Sequence, residues 1–352
     1  MTESLAEPEK RSTSHPIAVL ALAKVHRGFG GVQLVQRSVS APAPGQALIA
    51  VRAAGVCGTD LHIQDDEYGS EPPVIMGHEV AGVVQAVGDD ADADWLGRKV
   101  AVETYFSTCG RCAQCRAGRT NLCPDRKSIG SFRDGGFAAS MLIPVVNLHE
   151  VPDNVSIHAA ALTEPLACVC HCLLDPPVVN AGDSVLVVGP GAMGLLSAQV
   201  ARASGARVLL SGRDTDRPRL DVAEDLGLET TVDSLADESF DVVIECSGSA
   251  GGASAALRAA KRHGRYVAVG IFGRTVQLDF DAVLYKELTI TSGFASTPKS
   301  WERAVALLRA GDVTLEPLVG RVAPLREWET VFGALREGQG LKSVFDPTLE
   351  PR

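Results

Sequence analysis

No apolar run in this chain of 352 residues reaches the roughly 18 residues that cross a bilayer, so no membrane partner is expected. Clustered basic charge is missing as well. Lys and Arg number 33 against 43 Asp and Glu, a net charge of −10, and a nucleic-acid partner calls for the opposite balance. Internal repeats and low-complexity tracts are absent. The first 15 residues, Met1 to His15, lack the apolar stretch of a secretory signal and carry both charge signs. They read as a disordered tail on a cytoplasmic protein. The nine cysteines are an odd number, and four of them crowd between Cys109 and Cys123. Metal-bound thiolates in a reducing compartment fit that pattern; a disulfide framework does not.

Hydrophobic residues make up 45% and charged residues 22% of the chain, the balance of a globular protein long enough for two domains. The texture changes near the middle. From Ile17 to about Val151 the chain reads as short strands broken by Gly, Pro and Asp, among them Ile17–Leu22, Ala47–Ala53, Val80–Val87 and Lys99–Glu103. That density predicts a partly closed β-barrel. From Asp183 strands and helices alternate: strand Ser184–Val188, helix Gly194–Ser204, strand Arg207–Leu210, helix Pro218–Leu226, strand Asp241–Glu245, helix Ala253–Arg262 and strand Arg265–Val269. Repeated β-α-β units predict a doubly wound parallel sheet. The helix Trp301–Ala310 and the segment Lys342–Phe345 are expected to return to the first domain.

Three motifs carry chemistry. Cys109-x2-Cys112-x2-Cys115-x7-Cys123 offers four thiolates within fifteen residues, a set that wraps a tetrahedral Zn2+ and closes it. An iron–sulfur cluster is the other occupant of such a set. The second motif is distributed over Cys57-Gly58-Thr59-Asp60-Leu61-His62, Gly77-His78-Glu79 and Glu164-Pro165. Cys, His and carboxylate together suit a zinc with an open position. The third is Gly189-Pro190-Gly191-Ala192-Met193-Gly194, which follows a strand and opens a helix. There the backbone can approach a pyrophosphate at a helix N-terminus.

On these residues the chain resembles the zinc-dependent medium-chain dehydrogenases/reductases, on the sorbitol (polyol) and threonine dehydrogenase side. The resemblance implies an α/β protein: a GroES-like, partly open β-barrel catalytic domain (residues 16–167 and 297–352) and a Rossmann cofactor domain (168–296), beyond a tail at 1–15. It implies two zinc ions per chain. The catalytic one would be held by Cys57 and His78 with Glu79 or Glu164 as third ligand, and the structural one by Cys109, Cys112, Cys115 and Cys123. Thr59 would hydrogen-bond the substrate oxygen and His62 pass its proton outward. The resemblance also implies a homodimer or homotetramer acting on a small molecule.

The expected cofactor site comprises Gly189, Gly191, Ala192, Met193, Gly194, Ser211, Gly212, Arg213 and Ser247. Gly212 stands where NAD enzymes of this fold carry the acid that binds the adenosine ribose. Ser211 and Arg213 suit a 2′-phosphate instead, so NADP(H) is expected, while Asp214 would restore NAD if the register shifted. Relative to polyol dehydrogenases, Ile63 replaces an aromatic and Ala295 a substrate-contacting Arg. The loop Gln64-Asp65-Asp66-Glu67-Tyr68 is acidic. It is either a solvated face or a partner for the amine of an amino sugar, aminocyclitol or amino acid. Two further readings are a zinc-free quinone or enoyl reductase and a non-catalytic dinucleotide-binding protein.

Overall fold

The computed structural model describes residues 16–350; the tail expected at 1–15 lies outside the described residues. The β-rich first half forms a three-stranded sheet and a seven-stranded one. In the first, Ile17–Lys24 pairs antiparallel with Val32–Val39 and with Val74–Ile75. In the second, Gln46–Gly55 is the hub, flanked by Glu79–Val87, Ser140–Pro144 and Lys342–Phe345, all antiparallel to it. Register shifts at Leu48/Ile49 and Val51/Ala53 bend this strand, as bulges do where a sheet curls toward closure. The C-terminal strand Lys342–Phe345 thus closes a sheet begun some 290 residues earlier.

Six parallel strands make the second unit, in the spatial order Glu229–Thr231, Arg207–Ser211, Ser184–Val188, Phe240–Glu245, Ala260–Ala268, Thr289–Ser292. Numbered along the chain this is 3-2-1-4-5-6, the dinucleotide-binding order. Its inner strands are nearly continuous Val, Leu and Ile, as a sheet covered on both faces requires. The order reverses between Ser184–Val188 and Phe240–Glu245, which opens a crevice at their carboxyl ends.

One element differs from expectation. The helix anticipated over Ala253–Arg262 occupies Ala250–Ala259 and passes directly into a strand at Ala260. Lys286, from a later segment, donates to the carbonyls of Leu257, Arg258 and Ala260. Those are end-of-helix acceptors, so a distant ammonium ends the helix here.

The helix Thr163–Leu174 joins the units, and the junction expected between residues 167 and 168 falls inside it. It packs on the helices Ala192–Ala203 and Pro298–Ala310, and one apolar core runs from Ala53, Ala81 and Ala101 through this helix to Val242. Trp301, fully buried, stacks on His149 with ring centroids 4.9 Å apart, fixing Pro298–Ala310 to the barrel side. No helix among the described residues is long and apolar enough to cross a membrane.

Candidate active site

Cys57 caps the short helix Gly58–Gln64. Its backbone N–H donates to Asp60 Oδ2 at 2.9 Å, so Asp60 turns back under the helix start. The other oxygen, Oδ1, lies 3.9 Å from His78 Nδ1 and has no hydrogen-bond partner. Burial pushes the Asp60 carboxyl up to about 6, against the pull of His78 and the Cys57 N–H. Cys57, His78 and Glu79 each present a ligand atom within 4.8 Å of the others. Burial alone would lower the His78 pKa, but Cys57, Asp60 and Glu164 overcome it and hold it well above the ordinary value. The surroundings of His78 therefore favour a cation.

Glu79 is buried at the head of its strand, and Lys342 Nζ donates to its Oε1. Its Oε2 has no partner. A Cβ at residue 55 would fall 2.1 Å from that oxygen, so glycine is required there. Lys342 also donates to Val56 O at 3.2 Å. Burial would lower its pKa, but Glu79 and Cys57 raise it above the ordinary value. Glu164 sits in the first turn of Thr163–Leu174, with Oε1 accepting from Thr104 Oγ1 at 2.9 Å and from Cys168 Sγ at 3.4 Å. Burial raises its pKa, and the proximity of Glu79 adds to that. Of the two expected third ligands, Glu79 is the one grouped with Cys57 and His78.

Thr59 Oγ1 lies 3.7 Å from Cys57 Sγ. His62, partly exposed on the same helix, pairs through Nδ1 with Glu67 Oε2 at 2.7 Å. A Cβ at Gly273, from the loop after Ala260–Ala268, would approach His62 Cε1 at 3.9 Å, so this helix borders the crevice between the units. In the acidic loop, Asp65 is gripped by Arg336 at 2.6 and 2.7 Å. Lys24, wholly buried, donates to Gly28 O, Gly30 O and Gln64 O. The loop is therefore anchored from three directions.

The quartet Cys109, Cys112, Cys115 and Cys123 converges within the same 4.8 Å limit, with no disulfide. Backbone N–H groups of Cys109, Cys112 and Cys115 point at the sulfurs of Cys123, Cys109 and Cys112, at 3.4, 3.4 and 3.3 Å. Backbone donors at Arg111 and Cys112 lower the Cys109 thiol pKa to about 6, which favours the ligating thiolate. Cys168, Cys170 and Cys172 share a helix, as expected, and their thiols are raised by burial.

At the crevice, Gly189 adopts φ +102 and lies against Ser247, where a Cβ would meet Ser247 Cα at 2.8 Å. A Cβ on Gly194 would come within 1.9 Å of Gly189 O, whereas Gly191, capping Ala192–Ala203, faces open space. Met193 and Ala192 fill the first turn. Ser247 donates to the wholly buried Glu245, whose Oε1 also receives the N–H groups of Ser247 and Gly248. Ser211 ends its strand beside this loop, its carbonyl accepting from Gly189 N at 2.9 Å. Gly212 lies under Pro190 and Leu220. Arg213 is exposed and paired with Asp216 at 3.1 Å.

Comparisons with known proteins agree with this fold. The alcohol dehydrogenase GroES-like domain matches residues 43–153 and the zinc-binding dehydrogenase domain matches 192–310. A sorbitol dehydrogenase of Halalkalibacterium halodurans is 34% identical over 93% of the chain and 99% of its own length. The chain belongs to the zinc-binding alcohol dehydrogenase family. This dehydrogenase falls in the polyol and threonine branch. A D-arabitol-phosphate dehydrogenase of Enterococcus avium is 31% identical over 92% of this chain and 96% of its own. An L-threonine 3-dehydrogenase of Deinococcus radiodurans is likewise 31% identical, over 93% and 97%. A structure described as a zinc-binding dehydrogenase from Sinorhizobium meliloti bound to NADP superposes with a TM-score of 0.84 at 32% identity, over 94% of this chain and 100% of that one.

Sequence reasoning missed Asp60 and Lys342 beside the Cys57–His78–Glu79 cluster. Asp60 had a signal, because an acid three residues after a helix cap reaches back to the cap N–H. Lys342 had none, being 263 residues from Glu79.

Proposed function

We propose that the protein transfers hydride between NADP(H) and a polar secondary alcohol or its ketone, of the polyol or cyclitol type. The observation that carries this is the convergence of half-buried Cys57 and His78 on buried Glu79, with Glu79 Oε2 lacking any hydrogen-bond partner among the described residues. A thiolate, an imidazole and a carboxylate are a zinc donor set with one position left over. Bound there, zinc supplies a Lewis acid that polarises a carbonyl or favours an alkoxide. The chain's own residues do the rest. Asp60 sets a carboxylate 3.9 Å from His78 Nδ1, a charge that favours a cation held by the imidazole. Lys342 restrains one Glu79 oxygen, and Glu164 stands by, held to Thr104. Thr59 offers its hydroxyl to the substrate oxygen. His62, its Nδ1 held by Glu67, relays the proton toward solvent. A second, structural zinc belongs to the four-cysteine lobe, where the N–H···S pattern supports thiolates.

NADP(H) is favoured by Gly212, which supplies no carboxylate for the ribose, and by the exposed guanidinium of Arg213 beside Ser211. The NADP carried by the Sinorhizobium protein adds support. The relatives named for sorbitol, arabitol phosphate and threonine favour a polar alcohol. An amine on the substrate is the narrower reading. With Asp65 on Arg336 and Glu67 on His62, it rests on exposed Asp66. We also propose assembly with a second copy through the edge strand Thr289–Ser292, which carries exposed Ile290 and is flanked by exposed Phe280, Leu284 and Tyr285. An unpaired edge is a template for another strand.

The test is metal analysis with paired cofactor assays on polar ketones. Two zinc ions per chain and at least tenfold higher kcat/KM with NADPH than NADH are expected. One zinc per chain, or a preference for NADH, would refute the respective part. Equal rates on aminated and neutral ketones would remove the amine reading.

A further inference from the structure

The four-cysteine lobe reaches the cofactor unit through a buried amide. Asn121, in the turn Thr120–Leu122 just before Cys123, is 2% exposed. Its Nδ2 donates to Phe294 O at 2.8 Å and lies 3.3 Å from His171 Nε2. An amide nitrogen carries two hydrogens, so one serves each acceptor. His171 Nε2 therefore accepts, and the ring hydrogen sits on Nδ1, 3.9 Å from Asp175 Oδ2. Burial holds the His171 pKa below its ordinary value, in keeping with a neutral, accepting ring. The opposite amide orientation would set Oδ1 against the Phe294 carbonyl, two acceptors face to face. Asn121 thus ties together the lobe, the joining helix Thr163–Leu174 and the segment that follows Thr289–Ser292.

That segment, Gly293–Ala295, is gripped along its length. Cys172 Sγ donates to Gly293 O at 3.2 Å, and a Cβ at residue 293 would fall 2.9 Å from Cys172 Cα, so the backbone lies directly on the helix. The guanidinium carbon of Arg126, from the same lobe as Asn121, stands 5.0 Å from the Phe294 ring centroid. Ala295 has φ +55, a left-handed conformation that a residue with a Cβ keeps only where its surroundings hold it.

The place of this segment in the sheet gives the latch a use. A sheet of order 3-2-1-4-5-6 takes a dinucleotide across its carboxyl ends, one nucleotide on each half. The ribose position at Gly212, after Arg207–Ser211, puts adenosine on the half containing that strand. The nicotinamide then falls to the half whose strands end at Glu245, Ala268 and Ser292. Gly293–Ala295 continues from the last of these. The loop after Ala268 borders His62 at Gly273, so this half faces the helix Gly58–Gln64.

We propose that Asn121, seated by His171, is a positioning residue for the nicotinamide. It fixes the Phe294 carbonyl, and with it the backbone of Gly293–Ala295 at the edge of the nicotinamide half. The proposal rests on the reading that a nicotinamide dinucleotide binds in the crevice. The adenosine half lies beyond the latch.

The experiment is calorimetric titration of the zinc-loaded enzyme with each reduced dinucleotide and its fragment without nicotinamide: NADPH against 2′-phospho-ADP-ribose, NADH against ADP-ribose. Asn121→Ala should weaken the preferred dinucleotide about tenfold and its fragment less than about twofold. His171→Leu, which removes the acceptor that seats the amide, should give the same split in smaller measure. His171→Gln, which returns an acceptor, should recover most of the affinity. Equal weakening of dinucleotide and fragment would make Asn121 a general structural support and overturn the proposal, as would unchanged affinity for both. Identical losses in the two His171 variants would overturn the seating of the amide. A wild-type protein that binds neither NADPH nor NADH would instead overturn the cofactor reading, and the latch with it.

Discussion

Asp60 serves two structures at once, one oxygen on the helix cap and the other opposite His78. Asn at this position keeps an acceptor for the Cys57 N–H but removes the charge facing the imidazole. Asp60→Asn should therefore leave the helix in place and weaken zinc binding about 10–100-fold, measured by competition with a chromophoric chelator. Unchanged affinity would assign the carboxylate to the cap alone. At this scale the sequence is legible where partners are close in the chain. Cys57 and Asp60 are three residues apart, and His78 and Glu79 are neighbours. The acidic loop illustrates the limit. Its carboxylates look alike in sequence, yet Asp65 belongs to Arg336, 271 residues on, and Glu67 to His62. No local pattern distinguishes a committed carboxylate from one available to a ligand.

Elements with strong periodicity were predicted well, because their cause is local. The runs Val185–Val188 and Val242–Ile244 form buried parallel strands as expected, and the glycine turn between strand and helix falls where its spacing puts it. The helix end at Ala259 was not legible, since an Ala-rich stretch has no stop of its own and Lys286 supplies it. Within the glycine turn, open space at Gly191 and contact at Gly194 give opposite expectations. Gly191→Ala should fold normally and weaken nicotinamide dinucleotide binding about tenfold. Gly194→Ala should lower the melting temperature as well, because its Cβ meets Gly189 O. Comparable thermal stability in the two variants would contradict that assignment. The acidic loop carries a pH signature too. The hydrogen bond from Arg336 holds the Asp65 carboxyl below the usual carboxylate range. A depressed folded pKa contributes stability above the unfolded value and loses it as pH falls through the folded one. The stability gap between wild type and Asp65→Asn should be constant near neutrality and close in acid, as read by urea unfolding at each pH. A gap independent of pH would contradict the pairing.

The whole molecule depends on contacts that join distant parts of the chain. Gln46–Gly55 pairs with Lys342–Phe345, and His149 stacks on Trp301. The overall division into barrel and parallel sheet was readable from changing periodicity, and so was the return of Trp301–Ala310 and Lys342–Phe345 to the first unit; their particular partners were not, since pairing leaves no local mark. Assembly is a property of the same scale. Ile290→Lys on the edge strand should convert the proposed oligomer to monomers in sedimentation velocity, while the zinc content stays the same. An unchanged sedimentation coefficient would place the interface elsewhere.

The helix Thr163–Leu174 gives the two halves a common lever. Its first turn carries Glu164 beside the Cys57–His78–Glu79 cluster, and its last turn is tied to the cofactor side through Cys172 on Gly293 O. Twelve residues make a rod of about 18 Å, so a tilt of roughly 5° about its middle moves each end by about 0.8 Å. Any tilt of this helix thereby displaces one carboxylate beside Cys57, His78 and Glu79, so the electrostatic setting of that cluster is tied to how the two halves are held together.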